Sequence, residues 1–136
     1  MILNKSILLL EDDIVDVMTL KRALKQLDLP NKLVVKENGT DGLEYLLNCD
    51  DLPGLIFLDI NMPKMNGIEF LDVLRKNEEW SLIPVIVLTT SKDQQDKLVT
   101  FRQGISSYMI KPVDYPQFKD MIETIIKYWT YSEHPY

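Results

Sequence analysis

Short apolar runs that stop abruptly at polar residues most constrain how this chain can fold. Ile7–Leu10 ends at three consecutive acids, Leu55–Leu58 ends at an aspartate, and Val85–Leu88 ends at two threonines. Four apolar residues without alternation are typical of a strand that is buried on both faces of a sheet. Two further short apolar stretches, Leu33–Val35 and Tyr108–Ile110, are also predicted strands. The pattern therefore predicts five strands.

Between these runs, apolar residues recur at the spacing of an amphipathic helix. The first such segment begins at Ile14 and ends before Pro30. Five strands thus alternate with five helices, which predicts an α/β domain with a doubly wound parallel sheet and right-handed crossovers. The apolar residues of the helices are, in chain order, Val17, Leu20, Leu24 and Leu27; Leu43, Leu46 and Leu47; Ile68, Leu71 and Leu74; Leu98 and Phe101; and Phe118, Ile122, Ile125 and Trp129.

Length and charge narrow the classes of function. A chain of 136 residues suffices for one domain of about 100 to 200 residues but not for two. We expect a core of about residues 5–131 and a flexible tail after it. The net charge of −6 disfavours nucleic-acid binding, and no apolar stretch is long enough for a targeting segment or a membrane span. The single cysteine, Cys49, fits a reducing compartment, so a cytoplasmic location is expected.

The residues that end the strands carry the chemistry. In an open parallel sheet, ligands bind beyond the carboxyl ends of the strands. Each residue there could separately be a helix cap, a strand end or a solvated side chain, but their placement at one edge of one sheet favours a shared site. These residues are Glu11, Asp12, Asp59, Thr89 and Lys111.

A cluster of three carboxylates needs a cation. Two carboxylates about 4 Å apart repel each other by about 4 kcal/mol at an effective dielectric of about 20. Oxygen ligands without a nearby histidine or cysteine select Mg²⁺ or Mn²⁺ over Zn²⁺, and Mg²⁺ commonly bridges to phosphoryl oxygens. With a metal and Lys111 to neutralise charge, Asp59 is the predicted nucleophile toward a phosphoryl group. Glu11 and Asp12 are the predicted metal ligands.

Four motifs surround these residues. They are Leu10-Glu11-Asp12-Asp13, Asp59-Ile60-Asn61-Met62-Pro63 followed by Gly67, Leu88-Thr89-Thr90, and Tyr108-Met109-Ile110-Lys111-Pro112. These motifs resemble those of the receiver domain of two-component response regulators, and they occur in the family's order over about Lys5 to Tyr131. The resemblance implies a flavodoxin-like (βα)5 fold with strand order 2-1-3-4-5, of the stand-alone type that includes phytochrome-associated response regulators.

The resemblance also implies the reaction and its metal. Asp59 would accept a phosphoryl group from the phosphohistidine of a sensor histidine kinase, phytochrome-type kinases among them, or of a phosphotransfer protein. Asp12, Asp59 and the main-chain carbonyl of Asn61 would bind Mg²⁺, and Glu11 would act through a metal-bound water. The implied protein is a signalling phosphoacceptor, not an enzyme with a separate substrate, and it catalyses its own Mg²⁺-dependent phosphorylation and dephosphorylation.

Signalling is expected to follow from the added charge. Thr89 would hydrogen-bond one phosphoryl oxygen and Lys111 would pair with another. Thr89 would move inward and the Tyr108 ring would turn toward the core, which is a population shift between two packings. The resemblance makes Pro112 a candidate for a cis peptide bond. Thr90 stands where the family often has alanine or glycine, which would narrow access to the phosphoacceptor.

Because no effector domain follows the last helix in this sequence, the signal is expected to be passed on through a protein contact. Two surfaces are predicted to bind proteins. A partly apolar surface beside the acidic site, formed by Val15, Met18 and Arg22, is the predicted kinase docking surface. A second apolar set on the last helix predicts a homodimer through helix four, strand five and helix five, unless it only reflects a well-buried helix. Its members are Met121, Ile126 and Tyr128.

Three other classes of protein share part of this pattern. A flavodoxin-like electron carrier needs hydroxyl and amide donors after strand one, where Glu11–Asp13 would repel a flavin phosphate. An aspartate-based phosphatase usually has a second acid two residues after its nucleophile, where this chain has Asn61. A binding module that works without phosphorylation would not need the whole set of strand-end residues, which argues against that class.

Overall fold

Strands and helices alternate along residues 5–136, which is the part of the chain that the computed structural model describes. Residues 1–4, which the sequence analysis included in the domain, lie outside the described residues. The strands are β1 (Ile7–Leu10), β2 (Leu33–Lys36), β3 (Leu55–Leu58), β4 (Val85–Thr89) and β5 (Ser107–Ile110). The helices are α1 (Ile14–Gln26), α2 (Gly39–Asn48), α3 (Gly67–Lys76), α4 (Gln94–Arg102) and α5 (Tyr115–Tyr131), with a short 3₁₀ turn at Trp80–Leu82.

The strands form one parallel sheet in the order β2-β1-β3-β4-β5, which confirms the predicted fold. β1 pairs in register with β2 on one side and with β3 on the other, so Leu10 lies beside both Lys36 and Leu58. Every residue of β1, β3 and β4 is buried, whereas the two edge strands are only partly buried. The strand order reverses between β1 and β3, and the carboxyl ends of these strands therefore flank a crevice where ligands bind in such folds.

Side chains of each central strand alternate between two apolar cores. Ile7 and Leu9 of β1 face the core that is completed by α1 and α5, whereas Leu8 and Leu10 face the core completed by α2 and α3. This alternation follows from the two-residue period of a strand. Because both faces of the sheet are covered, its carboxyl edge is left as the place for polar chemistry.

Short polar side chains begin the helices close to the ends of the strands. Asp13, directly after the acid pair, accepts hydrogen bonds from the amides of Val15 and Asp16 and so begins α1. Asn66 and Glu69 form a capping box at the start of α3. The other N-caps are Asn38 for α2, Asp93 for α4 and Asp114 for α5. These caps satisfy amides that would otherwise lack partners.

Three of the apolar helix residues seen in the sequence are exposed. Leu47 of α2 and both Leu98 and Phe101 of α4 point into solvent. In α4 the fully buried residue is Thr100, whose hydroxyl donates to the carbonyl of Asp96 in the preceding turn. Because that hydrogen bond satisfies the hydroxyl, a threonine can occupy an apolar interface. Hydrophobicity alone therefore does not identify the buried face of α4.

The peptide bond between Lys111 and Pro112 is trans, which corrects the expectation of a cis bond. The trans form is the ordinary state of such bonds, by about 0.5 to 1 kcal/mol. The amide of Lys111 donates to the carbonyl of Thr89 at 2.8 Å, so the chain leaves β5 still paired with β4.

The last residues of the chain contact the amino edge of the sheet, opposite the strand-end acids. The hydroxyl of Tyr136 donates to the carbonyl of Pro53 at 2.6 Å, and the ammonium of Lys5 lies 4.9 Å from the centre of the Tyr136 ring. Burial raises the pKa of the Tyr136 hydroxyl to about 12. No helix within residues 5–136 combines the length and the apolar character needed to cross a membrane.

Gly67 lies where the loop after β3 turns into α3, and its substitution is expected to be costly. A methyl carbon there would lie 2.5 Å from the carbonyl oxygen of Asp59 and 2.9 Å from the Cα of Ile60. We expect Gly67→Ala to lower the free energy of unfolding by about 1 to 3 kcal/mol, since backbone must move to accept it. Urea denaturation measures this change.

The comparison is Gly104→Ala, where a methyl carbon would make only an ordinary contact, 3.6 Å from Nε of Arg75, but the φ is 78°. Its expected cost is that of the left-handed conformation, about 1 to 2 kcal/mol. A Gly67→Ala variant as stable as the wild type would contradict the close approach to Asp59.

Candidate functional site

Three carboxylates meet at the carboxyl ends of β1 and β3. One oxygen each from Glu11, Asp12 and Asp59 lies within 4.8 Å of the others. Glu11 is 3% exposed and Asp59 is 8% exposed, whereas Asp12 reaches solvent. The cluster is therefore buried on the protein side and open at Asp12. Hard oxygen donors in this arrangement suit Mg²⁺ or Mn²⁺.

Lys111, directly after β5, places its ammonium among the acids. Its Nζ lies 2.6 Å from Oε1 of Glu11, 2.6 Å from Oδ2 of Asp16 and 3.1 Å from Oδ2 of Asp59. The Lys111 side chain is almost fully buried, which weakens screening by solvent. One cation thus connects residues that follow β1, β3 and β5, together with the first turn of α1.

Burial and charge shift the acid–base properties of this cluster. Burial raises the pKa of Glu11 to about 7; the neighbouring Asp59 adds to this rise, and the hydrogen bond from Lys111 opposes it. Burial by itself would lower the pKa of Lys111, but the hydrogen bonds to Asp16 and Glu11 raise it above its ordinary value. Lys111 therefore stays protonated, and its single positive charge faces a larger number of carboxylates.

The loop after β3 fixes the backbone around Asp59. The Asp59 amide donates to the carbonyl of Leu10, so the residue is still held against β1. The amide of Asn61 is 3.4 Å from Oδ1 of Asp59, and the amide of Gly67 donates to the carbonyl of Ile60 at 2.9 Å. The Asp59 carboxylate consequently projects from a short, hydrogen-bonded turn.

Thr89 and Tyr108 contact the same residue in the loop after β4. Thr89 is fully buried, and its Oγ1 accepts a hydrogen bond from the amide of Ser91 at 3.2 Å. The hydroxyl of Tyr108 donates to the carbonyl of Ser91 at 2.8 Å, and its ring packs against core residues. Burial raises the pKa of the Tyr108 hydroxyl. Ser91 therefore joins the two residues that were predicted to act as a switch.

The structure brings together four of the five strand-end residues that the sequence singled out, namely Glu11, Asp12, Asp59 and Lys111. The hydroxyl of the fifth, Thr89, contacts the amide of Ser91. Asn61 is exposed on the same loop as Asp59. Sequence reasoning missed two residues of this region, Asp16 and Ser91. Asp16 lies in the first turn of α1, and nothing in the sequence marked it as a partner of Lys111. Nothing in the sequence marked Ser91 beyond its place two residues after Thr89.

The predicted kinase docking surface is exposed beside the acidic cluster. Val15 and Met18 are 66% and 62% exposed, and Ile14 next to them also reaches solvent. The guanidinium of Arg22 lies 3.9 Å from the centre of the Tyr115 ring of α5. The apolar part of this surface is thus free, whereas Arg22 is engaged in linking α1 to α5.

The second predicted surface, on α5, is corrected at one position. Ile126 is 3% exposed and packs in the core with Ile122 and Phe118. These residues are spaced by four, so all of them lie on the inner face of the helix. Met121 is partly buried against the same core, and Tyr128 is exposed. The homodimer through α4, β5 and α5 stays a prediction, without Ile126 in its contact surface.

The fold and the site together define a doubly wound α/β domain with an acid cluster and a lysine at the carboxyl edge of its sheet. The family model of the response regulator receiver domain matches residues 7–123. The chain belongs to this family, which confirms the resemblance seen in its motifs.

Known relatives and solved structures cover nearly the whole chain. The chain is 33% identical over 127 residues to the probable methanogenesis regulatory protein FilR2 of Methanothrix harundinacea, covering 90% of this chain and 82% of that protein. It is 29% identical over 130 residues to response regulator Rcp1 of Synechocystis, covering 92% and 88%. The crystal structure of the phosphorylated cyanobacterial phytochrome response regulator RcpA superposes with a TM-score of 0.90 at 28% identity, covering 97% of this chain and 99% of that one. The Mn²⁺-bound form of Rcp1 superposes with a TM-score of 0.87 at 28% identity and the same coverage.

Proposed function

We propose that this receiver domain is the phosphoacceptor of a two-component phosphorelay and that Asp59 is the acceptor. The observation that carries the proposal is the Asp59 carboxylate between two further acids and the Lys111 ammonium. An Asp59 oxygen would attack the phosphorus of a phosphohistidine. The phosphorus–nitrogen bond breaks, its electron pair returns to the imidazole, and an aspartyl phosphate remains.

The acid cluster fits a divalent metal. Asp12, Asp59 and the carbonyl of Asn61 would hold Mg²⁺ or Mn²⁺, with Glu11 bound through a water. The metal would neutralise charge on the phosphoryl oxygens. The clustering of the three carboxylates and the Mn²⁺-bound form of the relative Rcp1 support this assignment.

Lys111 and Thr89 would serve both halves of the cycle. The ammonium would pair with one phosphoryl oxygen, and the Thr89 hydroxyl, which can still donate its proton, would bond another. Attack of water on the phosphorus of aspartyl phosphate breaks the bond to Asp59 and yields inorganic phosphate. The protein would thereby catalyse its own phosphorylation and dephosphorylation.

The signal would leave the site through Ser91. A phosphoryl group that draws the Thr89 hydroxyl toward itself would change the hydrogen bond that Thr89 accepts from the Ser91 amide. The carbonyl of the same residue holds Tyr108 on β5. The loop after β4 therefore offers a short path from the phosphorylation site to β5 and α4, which supports the predicted Thr89 and Tyr108 switch.

The partners follow from the two exposed surfaces. A histidine kinase or phosphotransfer protein, phytochrome-type kinases among them, would dock on Val15 and Met18 beside the acid cluster. A protein target would read β5 and its neighbouring helices. The relative RcpA is a phytochrome response regulator, which supports the kinase type.

The free thiol of Cys49 supports a reducing, cytoplasmic location.

Phosphorylation of Asp59 can be tested with a small phosphodonor. Incubation with acetyl phosphate and Mg²⁺ is expected to add one labile phosphoryl group to the wild type and none to Asp59→Asn, as measured by intact-protein mass spectrometry. The control is Asp72→Asn, an exposed carboxylate on α3, which should be phosphorylated like the wild type. An unmodified wild type, or a modified Asp59→Asn, would refute the proposal.

The switch can be tested with Tyr108→Phe, which removes only the hydroxyl that donates to Ser91. We expect a loss of about 1 kcal/mol in the free energy of unfolding. In NMR spectra, phosphorylation should still shift the amides of β4, but the shifts in β5 and α4 should shrink. Tyr131→Phe removes an exposed hydroxyl from α5 and should behave like the wild type. Full-sized shifts in Tyr108→Phe would rule out the path through Ser91.

The docking surface can be tested with Met18→Glu. We expect phosphotransfer from a histidine kinase that phosphorylates the wild type to slow by about tenfold or more, since one charge in an apolar contact costs at least about 1.4 kcal/mol. Phosphorylation by acetyl phosphate should not change, because this residue does not touch the acids. Leu47→Glu places the same charge at an exposed leucine on α2 and should leave both rates unchanged. Normal transfer to Met18→Glu would mean that the kinase docks elsewhere.

A further inference from the structure

The ammonium of Lys111 is fully engaged by carboxylates of the protein itself. An ammonium has three N–H donors, and three carboxylates surround this one at hydrogen-bonding distance. They belong to Glu11, Asp16 and Asp59, at 2.6, 2.6 and 3.1 Å. A phosphoryl oxygen can pair with Lys111 only if one of these acceptors gives up its hydrogen bond.

Asp16 is the acceptor that can leave at the lowest cost. Glu11 is almost fully buried, and its other oxygen already accepts from the amide of Asp13. Asp59 must stay in place because it is the acceptor itself. The side chain of Asp16, by contrast, is 36% exposed in the first turn of α1, so water can replace Lys111 as its partner.

We infer that Asp16 is a positioning residue that holds the Lys111 ammonium in the unphosphorylated protein and yields it to the phosphoryl group. The inference rests on the proposed function of Asp59. Asp16 thereby opposes phosphorylation of Asp59. Its hydrogen bond with Lys111 stabilises the protein before transfer, and this bond is absent once a phosphoryl oxygen has taken the place of Asp16.

This role predicts different effects on the two steps of the cycle, phosphorylation and hydrolysis. In transfer from acetyl phosphate, an Asp59 oxygen attacks phosphorus, the bond from phosphorus to the acetate oxygen breaks, and acetate leaves with the electron pair. Lys111 stays protonated throughout and exchanges one carboxylate acceptor for a phosphoryl oxygen. Hydrolysis begins with Asp16 already released, so Asp16 affects the barrier to phosphorylation and not the barrier to hydrolysis.

The test compares both rates in Asp16→Asn and the wild type, at saturating Mg²⁺. We expect phosphorylation by acetyl phosphate to be about fivefold faster in the variant, the equivalent of about 1 kcal/mol in the barrier. The rate of hydrolysis after the phosphodonor is removed should change less than twofold. Asp16→Glu restores a carboxylate and should return the phosphorylation rate toward that of the wild type.

Two further variants separate this effect from general charge and from folding. Asp13→Asn removes one charge at the same end of α1 and keeps an N-cap acceptor, so it measures the long-range repulsion of the phosphodonor. The increase in the rate of phosphorylation should be clearly larger in Asp16→Asn than in Asp13→Asn. Asp16→Ala repeats the test without an amide oxygen that could still accept from Lys111, and circular dichroism verifies that each variant is folded.

The possible failures are distinguishable. If acetyl phosphate does not modify the wild type, both the proposed function and the role of Asp16 are overturned. If the wild type is modified but Asp16→Asn and Asp16→Ala match the Asp13→Asn control, the role of Asp16 alone is overturned. Equal acceleration of phosphorylation and hydrolysis would also overturn it, because Asp16 would then affect a step that begins after its hydrogen bond to Lys111 has been released.

Discussion

The ion pairs of Lys111 are the interaction on which the rest of the site depends. Glu11, Asp16 and Asp59 follow or flank the carboxyl ends of the adjacent strands β1 and β3. Without a cation, the mutual repulsion of these carboxylates would push the loops that carry them apart. The ammonium at the end of β5 lies within 3.1 Å of Glu11, Asp16 and Asp59. Because Asp12 is not among its partners, this compensation is incomplete. The remaining negative charge gives the site its affinity for a metal and, through it, for phosphoryl oxygens.

The architecture explains why this chemistry lies at one edge. Both faces of the sheet are covered by helices, and the central strands are buried along their whole length. Polar side chains are therefore confined to the positions where strands end, and parallel strands bring those positions together. Gly67 completes the arrangement, since its missing side chain lets the start of α3 approach the backbone of Asp59.

Much of this organisation was predictable from the sequence. The apolar runs are long enough and end sharply enough to define β1, β3 and β4, and each run is followed by a residue of the site. The exposed leucines of α2 and α4 were not predictable, because a short helix with few apolar residues does not reveal which face packs inward; Thr100 took that place in α4. Ile126 was assigned to the wrong face because its four-residue spacing from Ile122 was overlooked.

The long-range contacts of the site were equally hidden. Asp16 and Lys111 are 95 positions apart, and their hydrogen bond depends on how α1 lies against the end of β5. No local pattern encodes such a distance. The same limit applies to Ser91, because its role comes from a hydrogen bond that its carbonyl accepts from the hydroxyl of Tyr108, 17 positions further along the chain.

The hydrogen bond from Tyr108 to Ser91 bears on the background activity of the protein. It ties the ring of Tyr108 on β5 to the loop after β4, so the packing of these two elements depends in part on one hydrogen bond. A bond with a net value of about 1 kcal/mol changes the ratio of two packings by about fivefold. Substitutions in the loop after β4 would then adjust the resting level of signalling without changing the rate at which Asp59 is phosphorylated.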